Sequence, residues 1–130
     1  MAAARSPEEV DSLFVKALNA GDIEALMALY EPQASLMPSP GKMVVGAAAI
    51  REALGAFLAA RPNMTMSQRL VSRGEDLALA TSKWEVTMTG PDGQRSAMNG
   101  QSVEVLRRQA DGSWRFAIDM PFGVDAGGTQ

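Results

Sequence analysis

The hydrophobic period of this chain changes at Pro62, and that change leaves few architectures open to it. Upstream, apolar residues recur mainly at the spacing of one helix face. Downstream they alternate with polar residues, as in a strand with one buried face. Helices first and a long meander last, without strand–helix alternation, predict an α+β fold with three N-terminal helices packed on a curved, mostly antiparallel sheet. At 130 residues the chain is long enough for one domain with a real core.

The helical half carries its own punctuation. Ser6-Pro7-Glu8-Glu9 is a helix start, with Ser6 as cap, Pro7 at the first helical position and Glu9 placed for a capping box. Val10, Leu13, Phe14, Ala17 and Leu18 form the apolar face, and Gly21 ends the helix. Asp22 caps a second, shorter helix with Ile23, Leu26, Met27 and Tyr30 inward, closed by Pro32. Ala34 to Met37 reads as a strand, Pro38 to Gly41 as a turn and Lys42 to Val45 as a returning strand. Gly46 opens a third helix with Ile50, Ala53, Leu54, Phe57 and Leu58 on one face, and Pro62 stops it. Three alternating runs follow, around Met66, Trp84 and Phe116, with turns at Gly90-Pro91-Asp92-Gly93 and Ala110-Asp111-Gly112-Ser113. The domain is expected over residues 1–122, and the glycine-rich tail 123–130 is expected to be disordered.

Composition narrows the chemistry. The net charge of −3 argues against a nucleic-acid partner, because phosphate binding wants a basic face. There is no cysteine and no histidine, hence no thiolate nucleophile, no imidazole base and no ordinary zinc site. Any catalysis must use carboxylates, Tyr30, lysines, arginines or hydroxyls. No metal or cofactor is expected, since no Asp-x-Asp or similar oxygen-ligand spacing occurs. No apolar run is long enough to cross a bilayer, so no membrane partner is expected. Met1 to Arg5 lacks the features of a signal peptide, and the expected compartment is the cytoplasm.

Ala17-Leu18-Asn19-Ala20-Gly21-Asp22, Ala28-Leu29-Tyr30, the stretch from Gly46 to Glu52, the strand carrying Trp84, and Asp111-Gly112-Ser113-Trp114-Arg115-Phe116 form a recognisable set. In that order they resemble the nuclear transport factor 2-like superfamily, and within it the SnoaL-like and ketosteroid-isomerase-related branch. The resemblance spans Glu8 to Phe122. It implies a cone-shaped fold with an apolar pocket, and dimers through the outer sheet face are common in such proteins. The superfamily hosts isomerases, cyclases, dehydratases, epoxide hydrolases and non-catalytic modules, so the fold does not fix the function. The catalytic residues of ketosteroid isomerase are not kept. Phe14 matches its oxyanion-binding tyrosine and Pro38 its aspartate base, while Glu104 is the acid near the position of its protonated aspartate. The Asp-Arg-Asp set of the epoxide hydrolases has no clear equivalent, and the histidine of the dehydratases and several cyclases is missing.

Candidate site residues follow from the pattern. Tyr30, on the inner face of the second helix, offers a hydroxyl to a ligand, or else to a backbone carbonyl within the core. Trp84 sits on the apolar face of its strand, as pocket wall or as core. Asp119 falls on the outer face by strict alternation from Trp114, unless Pro121 bends the strand and turns it inward. Asn99 and Gln101 face inward, opposite Trp84 and Ser82, if the preceding turn holds four residues in its loop. A slip of one residue sends them out and brings in Met98, Ser102 and Glu104. The expected pocket wall is Phe14, Tyr30, Met37, Leu54, Trp84 and Ile118, with Asn99 or Ser102 as a polar contact. Met27, Met37, Met64, Met66, Met88 and Met98 could share that cavity or simply fill the core. Arg107, Arg108 and Arg115 read as a solvated sheet end. Two functions are open: a non-catalytic small-molecule-binding domain, or an isomerase, cyclase or hydrolase acting on an apolar carbonyl compound through Tyr30, Asp119 and Glu104. Thr87, Val103, Val105 and Ala117 make the outer sheet face partly apolar, so a homodimer is expected.

Overall fold

The computed structural model describes residues 3–124. Helix α1 runs over Pro7–Ala20, α2 over Ile23–Met27 and α3 over Ala47–Leu58. Six strands, β1 (Tyr30–Ser39), β2 (Lys42–Val45), β3 (Asn63–Arg73), β4 (Leu77–Thr89), β5 (Arg95–Arg108) and β6 (Trp114–Met120), form one sheet in the order β2-β1-β6-β5-β4-β3. Only β1 and β6 run parallel; every other pair is antiparallel. This is the expected α+β architecture, with the core between helices and sheet.

The two side-chain caps act as the sequence indicates, while Glu9 Oε1 accepts from Arg5 N–H instead of closing a box on Ser6. Ser6 Oγ accepts from Glu9 N–H and Asp22 Oδ1 from Ala25 N–H, each cap contributing about 1 kcal/mol. Gly21 takes the left-handed conformation, φ 69°, that ends α1. Pro62 follows the last turn of α3, where the chain swings into β3. No helix of the described residues is long and apolar enough to cross a membrane. Of the expected tail, residues 125–130 lie outside the described residues; Gly123 is buried and its N–H donates to Met120 O.

Three local features depart from the sequence reading, and each has a mechanical cause. Tyr30 does not belong to α2. The Leu29 carbonyl already accepts from Phe116 N–H at 2.7 Å, so the chain runs beside β6 before Tyr30, and Tyr30 opens β1. Pro32 therefore lies inside β1 rather than closing a helix. The β1–β6 ladder is irregular across it, between Tyr30 and Ser35, as expected where a proline cannot donate.

The second departure is the loop from β4 to β5. Thr89 pairs with Arg95, enclosing residues 90–94 rather than a four-residue loop, with Gly90 N–H donating to Gln94 O. Trp84 consequently faces Gly100, and Ser82 faces Ser102. Asn99 and Gln101 point outward and are exposed, which removes Asn99 from the pocket wall.

The third is a β-bulge in β6. Leu106 pairs with Phe116 and Val105 with Ile118, so Ala117 is an extra residue on the β6 side. Alternation restarts there. Phe116 faces in, Ile118 comes out 37% exposed, and Asp119 turns inward, 4% exposed. Ile118 therefore is not a pocket wall and Asp119 is not a surface acid. Ala117 is itself buried and gives the outer face nothing.

Candidate functional site

The inner face of the sheet carries two neighbouring cross-strand rows. In one, Gln68, Ser82 and Ser102 stand opposite one another on β3, β4 and β5. In the next, Ala80, Glu104, Asp119 and Leu36 follow from β4 to β1. Asp11, on the buried side of α1, comes down onto these rows. The result is a band of buried polar groups inside an otherwise apolar interior: Asp11, Ser82, Ser102, Glu104 and Asp119 are each at most 4% exposed.

The hydrogen bonds are specific. Gln68 Nε2 (2.9 Å) and Ser82 Oγ (3.0 Å) both donate to Asp11 Oδ2. Ser102 Oγ donates to Glu104 Oε2 at 2.9 Å, from two residues away on the same face of β5. The Tyr30 hydroxyl donates to Asp119 Oδ2 at 2.6 Å. Asp11 Oδ1 and Glu104 Oε1 receive no donor from any other described group. The Asp11 and Glu104 carboxyls are within hydrogen-bond reach of one another and hold a proton between them.

Protonation follows from this layout. Burial pushes Glu104 well above the usual carboxyl range, and the charges of Asp11 and Asp119 push it further, so Glu104 is the protonated member of its pair. Burial also raises Asp11, while bonds from Glu104, Gln68 and Ser82 oppose the rise. Asp119 is raised to about 7 by burial, with the Tyr30 hydrogen bond pulling it down and the charge of Asp11 pushing it up. Tyr30 is held well above the phenol range, first by burial and then by Asp119, and stays a donor.

These acids border a cavity of about 570 Å³ between α1, α3 and the sheet. Asp11, Ser102, Glu104 and Asp119 supply its polar wall, and Phe14, Met37, Leu54, Met64, Trp84 and Phe116 much of its apolar one. Lys42 and Glu52, both exposed, stand at the rim. Pro38 lines it too, and neither it nor Phe14 offers a base or a donor. Of the residues expected at the wall, Phe14, Met37, Leu54, Trp84 and Ser102 are there, and Glu104 and Asp119 join them. Tyr30 stands behind Asp119, packed on Phe116 with ring centroids 4.9 Å apart, and its hydroxyl meets a carboxylate instead of a ligand or a carbonyl.

Trp84 closes one side. Its indole lies across Gly100, where an added Cβ would come within 2.6 Å of Trp84 Cζ2. The bare strand lets Trp84 Nε1 reach over and donate to Pro121 O at 2.8 Å, and Phe122 meets the indole edge-to-face at 5.6 Å.

Asp11 escaped the sequence reading, although its signal was present. It precedes Phe14 by three positions and Leu18 by seven, which places an acid on the apolar stripe of α1. Gln68, Ser82 and Phe116 had no signal beyond inward alternation. Among the described residues no group of three or more Asp or Glu side chains is gathered so as to hold a metal ion.

The sequence profile of the SnoaL-like domain family matches residues 12–117. No curated protein matches the chain in sequence. Among solved structures, a ketosteroid isomerase-like protein from Erwinia carotovora atroseptica is 27% identical, with a TM-score of 0.77 over 87% of this chain and 89% of that one. A member of the NTF2-like family from Streptomyces avermitilis superposes with a TM-score of 0.73 at 20% identity, over 90% and 94% of the two chains. A conserved protein from Planctomyces limnophilus reaches 0.81 at 17% identity, over 88% and 91%. At such low identity the last two show the fold alone.

Proposed function

The chain belongs to the SnoaL-like domain family, and from that premise we propose that it binds a small, mostly apolar molecule in the cavity between its helices and its sheet. The observation that carries this reading is the buried polar band of Asp11, Glu104 and Asp119 on the wall of a cavity otherwise faced by Phe14, Leu54, Met64, Trp84 and Phe116. Apolar walls with a few convergent polar groups are what a ligand site needs for affinity and orientation. A volume of about 570 Å³ is ample for a molecule of two or three fused rings.

A neutral naphthalene probe tests the proposal. It should quench Trp84 fluorescence saturably, and Trp84→Phe should remove that signal while the buried Trp114 continues to report the fold. Ala53→Trp, which places a large ring in the cavity, should abolish binding. Equal binding to wild type and Ala53→Trp would refute the cavity as the site.

A second reading, proton-transfer catalysis on the bound molecule, is favoured by Asp119. This cavity-lining carboxyl is raised to about 7, near the pH at which a general acid–base is most effective, and the Tyr30 hydroxyl holds it in place at 2.6 Å. It is the alternative of an isomerase, cyclase or hydrolase, now with Asp119 as the acting residue and Tyr30 as its positioning residue. Exchange of the α-hydrogens of a bound cyclic ketone in deuterium oxide, followed by NMR, should be faster with wild type than with Asp119→Asn. Equal rates would remove the catalytic reading and leave the binding one.

A homodimer through the outer sheet face belongs to the same proposal. Leu79, Val105 and Ile118 stand opposite one another across β4, β5 and β6, and Ser35 continues the row to Val45 on β2. Leu79 and Ile118 are 41% and 37% exposed with the half-buried Val105 between them, an apolar stripe of the kind that a second surface covers, and Ser35 separates it from Val45, 63% exposed.

A further inference from the structure

We infer that the turn at residues 121–123, directly after β6, is a strap at the mouth of the cavity, and that the indole N–H of Trp84 is its latch. The inference rests on the cavity's being a ligand site and adds how that site opens and closes.

The sheet lets go of the chain at this point. The last pair between β5 and β6 is Val103 with Met120, and the last between β1 and β6 is Leu36 with Asp119. Two residues beyond the second pair stand Pro38 and Pro121, and neither can donate to a ladder. Both line the cavity, together with Ser39, Lys42 and Glu52, whose exposure marks the mouth. Past Met120 the turn's own backbone bond, from Gly123 N–H to Met120 O at 3.0 Å, stays inside the turn and ties it to no other element.

What holds the strap is the cavity wall. Among the described residues, one hydrogen bond joins residues 121–123 to an element other than β6: Trp84 Nε1 donates to Pro121 O at 2.8 Å. Phe122 adds an edge-to-face contact with the same indole. Gly123 makes the closed position possible. Its φ is 72°, and an added Cβ would lie 2.9 Å from Gln101 O, so the strap can lie this close to β5 only without a side chain there. Pro121 and Phe122 are half-buried, whereas Trp84 is 4% exposed. A segment with few bonds and partial exposure opens locally at low cost, while the wall it leans on opens only with the fold. Trp84, Pro121 and Phe122 all line the cavity, so a bound molecule touches latch and strap together and favours the closed state. Opening the strap widens the way in and out.

Rates test the latch. The neutral naphthalene probe is mixed with the full chain in a stopped-flow instrument, and its own emission is followed. Loss of one hydrogen bond raises the open population about five-fold, so Trp84→Phe and Gly123→Ala should each speed both association and dissociation by about that factor. A lost wall contact would speed dissociation alone. Gly123→Ala strains the closed strap and leaves Trp84 in place, so it decides the matter if Trp84→Phe does not fold. In wild type, saturating probe should also slow amide hydrogen exchange at Gly123, read by NMR, by about ten-fold. Association as slow as wild type in either folded variant overturns the inference and leaves the cavity site standing. So does exchange at Gly123 that is indifferent to saturating probe. If the probe does not bind wild type at all, the inference and the cavity reading fall together.

Discussion

The two faces of the sheet at β5 and β6 reverse the usual partition of side chains. The inner face buries two carboxyls, Glu104 and Asp119, at 2% and 4% exposure, while the outer face leaves Ile118 37% and Leu79 41% exposed. Neither arrangement serves the stability of an isolated monomer. Burying a carboxyl without a cation raises its proton affinity at the expense of stability near neutral pH. Leaving a branched aliphatic 37–41% exposed forgoes part of the roughly 1.5–3 kcal/mol of full burial. The contrast is what the proposal accounts for, with a ligand on the inner side and a second surface on the outer. It also shows how one residue separates them, because the bulge at Ala117 puts Asp119 in and Ile118 out.

The sharpest way to break the comparison is to remove the ring on which the inner face packs. Phe116 is 1% exposed and packs on both Phe14 and Tyr30, so Phe116→Ala should cost about 3–5 kcal/mol in denaturant unfolding. A loss below about 1 kcal/mol would mean that the inner face is loosely packed and that the cavity is not held open by a firm core.

The next effect comes from the buried acid. The pKa of Asp119 is raised from 3.8 to about 7, so the native state binds a proton that the unfolded chain has released. Stability should therefore fall as pH rises from about 4 to about 7, then stay low, with a ceiling on the order of 4 kcal/mol from this group. Asp119→Asn keeps an acceptor for Tyr30 and cannot ionise, so it should make the profile shallower, with Glu104 and Asp11 still contributing, and stabilise the protein at pH 8. An unchanged profile would show that Asp119 is not the group responsible.

A smaller effect is expected at Gly100, whose missing side chain makes room for Trp84. Gly100→Ala should cost about 1–3 kcal/mol by displacing the indole, and should weaken binding of the naphthalene probe in step. If binding survived while stability fell, Trp84 would be a core residue and not a wall of the site.

The smallest effect on folding should lie on the outer face. Ile118→Asp should change monomer stability by no more than about 0.5 kcal/mol, as for ordinary surface positions. It should nevertheless lower the mass seen by light scattering at micromolar concentration from a dimer to one chain of 13.8 kDa. Wild-type protein that already scatters as a monomer would leave the stripe through Leu79, Val105 and Ile118 without a partner.

Periodicity, caps and breakers determined the architecture by themselves. Ser6, Gly21, Asp22, Gly46 and Pro62 act through local backbone geometry and hydrogen bonds within a few residues, so their meaning does not depend on the rest of the chain. The alternation around Trp84 likewise placed the inner face of β4 correctly. What only the tertiary structure decided is register and the identity of the polar band. The loop at 90–94 exchanges Asn99 for Ser102 and Glu104 at the inner face, and the bulge at Ala117 exchanges Ile118 for Asp119. Strand alternation has a period of two, so one extra residue reverses every later side chain while leaving the local pattern equally regular. The pairing of Tyr30 with Asp119 across 89 positions of sequence, and of Asp11 with Ser82 across 71, exists only once the helices have closed over the sheet.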